Sequence, residues 1–313
     1  MGEHVLTRSQ IHHKWNRDQP PAIEIEPGDV VVFNTEEVSG GQMRPGRSVA
    51  EIFPLDPERI YPLGGPVFIK GARPGDALRV RILSLTPGDW GWTAIIPNAG
   101  LLPEDFHEPF IKYWDLSNGR DTALRSDIVI PLDPFCGVMG VARDEPGEFR
   151  VLPPGPFGGN MDIRHLTAGA TLLLPVWVDG GLFSAGDCHA AQGDGEVCVS
   201  GIECPMTFTL QFDLVKGKQL RGPQLMTPGP LTQKYDRKGY YATTGIAPDL
   251  MDAAKETVRS MIAHCVETYG LSREEAYVLA SAAVDLKISE VVDRPNWIVS
   301  AYLPLSIFRD GGG

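Results

Sequence analysis

The tripeptide Pro-Gly-Asp occurs three times, at 27–29, 74–76 and 87–89, and this repeated turn most constrains the fold. Proline sets the first dihedral angle of a tight turn, and glycine takes a positive φ at the next position. The first two turns introduce the strand-like runs DVVVF at 29–33 and DALRVRILSL at 76–85. The chain has 35 glycines and 27 prolines spread along its length, which indicates many turns joining short strands.

Alternation of apolar and polar residues continues this pattern. Leu78, Val80 and Ile82 are separated by arginines, and every second residue of MTFTLQFDLV at 206–215 is apolar. Such alternation is typical of a strand with one buried and one solvated face. Four further strands are predicted, at 65–71, 171–178, 181–187 and 196–204. From about 20 to about 215 the chain is therefore predicted to be all-β.

The C-terminal part has helical periodicity. Apolar residues recur at three- and four-residue steps from Met251 to Tyr269. Asp249 is the predicted N-cap of this helix, and Gly270 ends it.

A second helix begins at the capping box formed by Ser272 and Glu275. Its pattern extends to about Val292, and Pro295 follows. The run NWIVSAYLP at 296–304 is predicted to return as a strand. The fold class is thus mainly β, with a C-terminal helical hairpin that makes it α+β overall.

Two parts of the chain are expected from this change of pattern. Residues 1–225 form a β-rich catalytic body, and residues 245–313 form a C-terminal helical segment with a returning strand. The polar stretch between them, including QKYDRKG at 233–239, is predicted to be a linker or a long exposed loop. The two parts are expected to pack together and could count as one domain.

The charge and the cysteines limit the partners and the location. The net charge of −12 argues against nucleic acid or an anionic membrane face as a partner, since both require a basic surface. No apolar run reaches the length of about 18 residues that a membrane span needs, and the N-terminus lacks the apolar core of a secretory signal. Five scattered cysteines make a disulfide framework improbable, so we expect the reducing cytoplasm.

Two Gly-rich segments, 158–169 and 186–196, combine histidine with carboxylates. In D-x-H the two side chains point to the same side of an extended backbone, and D-x-x-H does the same on a turn. Imidazole nitrogen with carboxylate oxygen is a donor set that zinc accepts. These residues could alternatively be ordinary turn residues. The predicted metal ligands are Asp162, His165, Asp187 and His189. Four is one more than a catalytic site with three protein ligands needs. One of the four could therefore hold another ligand in place, or the site could bind two ions.

Three carboxylates near these segments are candidate general acid/base groups: Glu196, Glu203 and Asp194. A carboxylate beside a metal-bound water can take its proton and pass it to a leaving amine. Asp194 could instead be a solvated residue of a hairpin turn at 193–195. Glu203 lies in an apolar stretch, where a buried carboxylate needs a partner.

The predicted substrate-binding residues are Gln192, Trp92 and Asn160. Trp92 belongs to an apolar, turn-rich stretch that could line a small pocket or be ordinary core. Cys188 adjoins His189, but adjacent strand residues face opposite sides, which disfavours a thiol nucleophile. Phosphate-binding glycine motifs and G-x-S-x-G are absent from the sequence, which disfavours nucleotide and serine-hydrolase chemistry.

Seven collinear blocks give the sequence a resemblance to the acetamidase/formamidase family. The C-terminal SAAVDLKISEVVD at 281–293 is similar to that family as well. The blocks are PGDVVVFNTEEVSGGQ (27–42), GPVFIKGARPGDALRVRI (65–82), GWTAIIPNAGLL (91–102), PFCGVMGVA (134–142), GGNMDIRHLTAGATLLLPV (158–176), GDCHAAQGDGEV (186–197) and IECPMTFTL (202–210).

The resemblance implies hydrolysis of a short aliphatic amide to its acid and ammonia. It also implies a β-sandwich-like body with added helices, commonly in a homodimer or larger oligomer. By motif, the metal-centred site residues are Asp162, His165, Asp187, His189 and Glu196. We expect a metal-dependent amidohydrolase, with zinc as the first choice of ion. A lactam hydrolase on the same scaffold and a non-catalytic binding protein are the alternatives.

Overall fold

The computed structural model describes residues 2–231 and 238–309. The helices are α1 (Val49–Ile52), α2 (Leu250–Tyr269) and α3 (Arg273–Ala283), and a 3₁₀ turn spans Leu305–Ile307. The strands are β1 (Glu3–Leu6), β2 (Ile11–His12), β3 (Lys14–Trp15), β4 (Ile23–Ile25), β5 (Val30–Thr35), β6 (Leu63–Ile69), β7 (Ala77–Pro87), β8 (Trp90–Ile95), β9 (Phe110–Asp115), β10 (Asp121–Arg125), β11 (Ile128–Pro131), β12 (Phe135–Gly140), β13 (Phe149–Arg150), β14 (Gly158–Asn160), β15 (Thr171–Pro175), β16 (Phe183–His189), β17 (Met206–Val215), β18 (Gln224–Met226), β19 (Tyr240–Ala247), β20 (Asp285–Glu290) and β21 (Trp297–Pro304). The mainly β prediction with C-terminal helices is confirmed.

The described chain divides into two compact units, each built from separate stretches. The first unit contains residues 2–88, 134–189 and 203–231, and the second contains residues 89–133, 190–202 and 238–309. The boundary proposed from the sequence stays a prediction, and its stretch 233–239 lies mostly outside the described residues. Among the described residues, we find no helix with the length and apolarity to cross a membrane.

The first unit consists mainly of two sheets. One has the order β1-β5-β17-β7-β15-β18, and the other has the order β14-β12-β16-β6-β2 with β4 beside β6. Their inner faces meet through aromatic rings. Phe33 of β5 stacks on Phe208 of β17 at 4.8 Å, and Phe183 of β16 contacts Phe33 edge-on at 6.2 Å. This unit thus has the sandwich-like arrangement of sheets that the family resemblance implied.

The Pro-Gly-Asp turns behave as predicted at two of their three positions. Gly28 and Gly75 have φ values of 96° and 94°, whereas Gly88 is not in the left-handed region. In the first two turns the aspartate side chain also accepts the backbone N–H of the residue three positions earlier. Glu26 donates to Asp29 at 3.1 Å, and Arg73 donates to Asp76 at 2.9 Å. A local side-chain bond thus closes the turn that introduces β5.

In the second unit, α2 packs against the three-stranded sheet β19-β21-β20. The predicted caps are confirmed, since Asp249 accepts the N–H groups of Met251 and Asp252, and Gly270 has a φ of 62°. The capping box of α3 is also present.

The second helix was predicted to reach Val292, and this is wrong. α3 ends at Ala283, and Asp285–Glu290 form β20. The N–H of Val284 makes the last helical bond, and Leu286 instead donates to the carbonyl of Asp194 at 2.9 Å. The hydrogen bonds that Asp285–Glu290 make with β21 stabilise this segment as a strand more than its weak helical pattern, which includes Leu286, stabilises a helix.

The predicted strand at 196–204 is also wrong. Glu196 and Val199 have positive φ, 44° and 79°, and the stretch forms turns, with only Glu203 in an isolated bridge. Its N–H groups have scattered partners: that of Val199 closes a turn on Glu196, that of Cys198 donates to the hydroxyl of Ser281 at 3.1 Å, and that of Ile202 donates to the carbonyl of Ala191. Its apolar residues fill the core of the second unit as a loop rather than as a strand.

Candidate active site

The end of β16 supplies two of the predicted ligands. His189 Nε2 lies 3.4 Å from Oδ1 of Asp187, and their side chains are 1% and 5% exposed. The D-x-H spacing thus brings both groups to one side of the strand, as the period of two requires. Asp187 has a φ of 52°, an uncommon backbone conformation for a non-glycine residue that aspartate tolerates better than most.

Glu203 joins these residues from a distant point in the chain. An isolated antiparallel pair links its backbone to that of His189, and Cys204 donates its N–H to the carbonyl of Cys188 at 2.9 Å. This pairing directs Oε2 of Glu203 to within 3.0 Å of His189 Nε2, with the side chain only 2% exposed. One ligand atom each from Asp187, His189 and Glu203 lie within 4.8 Å of one another.

Asp162 approaches the same group from the turn after β14. It has a φ of 48°, and its N–H donates to the carbonyl of Gly137 at 3.2 Å. One of its carboxylate oxygens lies within 4.8 Å of a ring nitrogen of His189. The first unit therefore brings together Asp162, Asp187, His189 and Glu203.

The buried carboxylates and the imidazole shift one another's proton affinities. Burial raises the pKa of Glu203 to about 8, although the neighbouring His189 counteracts it. Burial by itself lowers the pKa of His189, but the carboxylates of Glu203 and Asp187 outweigh it and raise that pKa above its usual value. The same carboxylates would also attract a metal cation placed beside Nε2.

The chemistry of the donor set fits a divalent metal ion. One imidazole and three carboxylates are the N/O donors that zinc and similar ions accept. Three carboxylates beside one imidazole also carry excess negative charge in a buried place, which a divalent cation would neutralise.

The remaining predicted residues of the first unit lie close to Asp162 in the chain. His165 is half-buried in the turn that follows, and it is not in the group formed by Asp187, His189 and Glu203. Asn160 ends β14, and its side-chain amide donates to the carbonyl of Leu152 at 3.1 Å.

Four predicted residues belong to the second unit. Trp92 on β8 is 2% exposed, and Gln192 is equally buried in the loop after His189. Asp194 lies 3.9 Å from Nζ of Lys287. Glu196 is half-buried in a turn, where its own N–H donates to the carbonyl of Gly193 at 3.2 Å. Their roles in substrate binding and proton transfer stay predictions.

The thiols near the site are buried among other side chains. Cys188 has its Sγ 3.6 Å from the Sγ of Cys136 and 3.6 Å from the hydroxyl of Thr35. Burial raises the pKa of the Cys136 and Cys204 thiols well above the usual value, so both stay protonated.

Sequence reasoning missed two residues that touch this group. Phe135 lies edge-on against the imidazole of His189, and Gly137 lies beside both Asp162 and Asp187. Both are in the block PFCGVMGVA, which was singled out only for its resemblance to a family.

Comparison with known proteins gives a consistent result. Residues 3–148 and 144–310 match the acetamidase/formamidase family. A formamidase of Methylophilus methylotrophus is 28% identical, over 96% of this chain and 90% of that protein. A gamma lactamase from Delftia acidovorans superposes with a TM-score of 0.91 at 26% identity, covering 97% of this chain and 93% of the other. An acetamidase from Bacillus halodurans superposes with a TM-score of 0.68 at 31% identity, covering 96% and 97%.

The fold, the buried imidazole–carboxylate group and these matches define an amide-hydrolysing enzyme. More specifically, the chain belongs to the acetamidase/formamidase family. The prediction of an amidohydrolase acting on linear amides is thereby confirmed.

Proposed function

We propose that this enzyme hydrolyses a short aliphatic amide, of the formamide or acetamide type, to its carboxylate and ammonia with the help of a divalent metal ion. The observation that carries the proposal is the contact of His189 Nε2 with two buried carboxylates, at 3.4 Å from Asp187 and 3.0 Å from Glu203. A formamidase and an acetamidase among the relatives support this substrate class.

The residues that would hold the ion are Asp162, Asp187 and His189, and zinc is the ion that their mixed N/O donors favour. A bound ion of this kind polarises an amide carbonyl and lowers the pKa of water from about 15.7 to about 7. His165 remains a predicted ligand on the strength of its motif.

Glu203 is the proposed proton carrier. Its Oε2 would accept the proton of the attacking water and deliver it to the amide nitrogen, so that ammonia leaves as a neutral molecule. Its burial keeps bulk water from competing for that proton, and its Oε2 lies 3.0 Å from Nε2 of the proposed ligand His189, next to the site of the ion. Glu196 is the sequence-based alternative for the same role.

Removal and return of the ion test the proposal. Protein dialysed against a chelator should lose formamide and acetamide hydrolysis, and Zn²⁺ should restore it, whereas the same dialysis without chelator should leave the rate unchanged. Full activity in protein shown by elemental analysis to be metal-free would overturn the proposed metal dependence.

A lactam hydrolase is the second candidate. The observation in its favour is the TM-score of 0.91 with the gamma lactamase, higher than the 0.68 with the Bacillus halodurans acetamidase. The value of kcat/KM for formamide, acetamide and a five-membered lactam, measured with one preparation, separates the two. We expect the linear amides to be the better substrates.

The location and assembly remain proposals as well. All five cysteines are free and buried, which suits a reducing cytoplasm. A homodimer or a larger homo-oligomer is proposed from the family resemblance, and light scattering of the purified protein tests it.

A further inference from the structure

We infer that Gly137 is a positioning residue for the metal centre, because the space left by its missing side chain is where the carboxylate of Asp162 lies. The inference rests on the proposed function, in which Asp162 and Asp187 hold the ion. Gly137 itself would touch neither ion nor substrate.

Gly137 is in β12, the strand between the two segments that carry the proposed ligands. On one side, Cys136 pairs with Cys188 and Val138 pairs with Gly186, so Gly137 lies beside Asp187 of β16. On the other side, Val138 pairs with Asn160 at the end of β14, just before Asp162. The strand order β14-β12-β16 thus makes this one position a neighbour of both aspartates.

The backbone of Gly137 holds the turn that carries Asp162. Its carbonyl accepts the N–H of Met161 at 3.0 Å and the N–H of Asp162 at 3.2 Å. These two bonds support the left-handed backbone conformation of Asp162, whose φ is 48°. The turn is therefore attached to β12 at the same residue that leaves room for its side chain.

A side chain at this position would collide with the ligands. A Cβ atom built on Gly137 overlaps Oδ1 of Asp162, and it lies 2.9 Å from the carbonyl oxygen and 3.4 Å from Oδ2 of Asp187. The strongly overlapping atom is the end of a side chain that can rotate, whereas the backbone of the paired strands cannot move as easily. A methyl group would therefore displace the Asp162 carboxylate most, and its approach to within 2.9 Å of the carbonyl oxygen of Asp187 would also require a small shift of β16.

The requirement for glycine is one of space, not of backbone conformation. Gly137 is not among the glycines with positive φ, so alanine can adopt its φ and ψ without strain. This separates Gly137 from Gly158 and Gly159 of the neighbouring strand, whose φ values are 91° and 85°.

The variant Gly137→Ala tests the inference, with Zn²⁺ as the probe. Chelator-treated protein is titrated with Zn²⁺ against a competing indicator, which reports binding without any need for activity. We expect the dissociation constant for Zn²⁺ to rise about 10- to 100-fold, as when other groups that orient metal ligands are lost. Circular dichroism of the metal-free variant should remain close to that of the wild type, and thermal unfolding should show only a modest loss of stability.

Two further variants distinguish a displaced carboxylate from a general defect of the sheet. In an Asp162→Ala background the oxygen is gone, so adding Gly137→Ala should change the Zn²⁺ dissociation constant by about twofold or less. Gly64→Ala is the matched control, because its Cβ would meet the ring of Phe33 and not a proposed ligand. It should leave Zn²⁺ affinity unchanged.

Each outcome decides between the possibilities. Wild-type affinity in Gly137→Ala, or an equal loss with and without Asp162, would overturn the positioning role while leaving the metal centre intact. A wild-type protein that binds no Zn²⁺ would instead overturn the proposed metal centre, and the role of Gly137 with it. If Gly137→Ala fails to fold, refolding in the double variant Gly137→Ala/Asp162→Ala supports the inference, and an unfolded double variant contradicts it.

Discussion

Phe135 lies directly opposite His189 in the pairing of β12 with β16, and its ring meets the imidazole edge-on, with centroids 5.0 Å apart and planes at 80°. Both side chains are fully buried. The contact limits rotation of the imidazole, so Nε2 stays directed at Asp187 and Glu203. An aromatic ring in the core thus orients the imidazole that meets Asp187 and Glu203.

Replacing this ring should weaken metal binding. Phe135→Leu keeps an apolar side chain but loses the ring edge, and we expect about tenfold weaker Zn²⁺ binding with a stability loss of about 1–2 kcal/mol. The measurements are Zn²⁺ titration and urea unfolding. Phe208→Leu, which removes a buried ring that stacks on Phe33, is the control. Equal losses of Zn²⁺ affinity in both variants would contradict a specific role for Phe135.

Mutations should distinguish the proposed metal ligand Asp187 from the proposed proton carrier Glu203. Asp187→Asn should lose most of its Zn²⁺ affinity, because an amide is a poorer ligand than a carboxylate. Glu203→Gln should retain bound Zn²⁺ but lower kcat by about 10²- to 10⁴-fold, since it cannot carry the proton. Glu196→Gln, measured in parallel, is expected to change kcat less. A larger effect at Glu196 than at Glu203 would reverse the assignment.

Stability in acid should depend on Asp29. The N–H of Gly2 and the ring of His4 lower the pKa of Asp29 to about 2, below the value of about 3.9 in an unfolded chain. Because the folded-state pKa is the lower one, the ionised carboxylate stabilises the fold above about pH 4. That contribution is lost as the pH falls towards 2.

The variant Asp29→Asn should therefore be less stable than the wild type at pH 7, by about 1–2 kcal/mol. The difference between the two should shrink between pH 4 and pH 2 in urea-unfolding measurements. Asp56→Asn, at an exposed position, is measured in parallel as the control. A pH-independent difference for Asp29→Asn would show that its charge is not the cause.

The packing of α2 on β19 should depend on a glycine. A Cβ atom on Gly245 would overlap the carbonyl oxygen of Ala253 and lie 2.8 Å from the nitrogen of Thr257, both backbone atoms of α2. Gly245→Ala should therefore destabilise the protein by about 3 kcal/mol or more, because the helix must move away from the sheet. Gly229→Ala, with open space around its Cβ, should change the melting temperature by no more than a degree or two.

Sequence patterns that span only a few residues correctly predicted strands, helix caps and the side-chain placement of close neighbours. The alternation in β7 and β17, the Asp249 cap of α2 and the same-side placement of Asp187 and His189 all follow from neighbours a few residues apart. They were correct because backbone geometry repeats every 2 or 3.6 residues. The two wrong predictions concern residues 196–204 and the residues after Ala283. In both stretches backbone groups form hydrogen bonds with residues distant in the sequence, such as Cys198 with Ser281 and β20 with β21.

The sequence by itself determined a mainly β chain with two capped helices and supplied the imidazole and carboxylates of the proposed centre. Only the tertiary structure decided that Glu203, 14 residues from His189, and Asp162, in the turn after β14, meet the same imidazole. It also decided that Gly137 lies between the two aspartates. The reason is that packing over the whole unit sets the strand order and the pairing register. Which strands become neighbours therefore cannot be predicted from a short stretch of sequence.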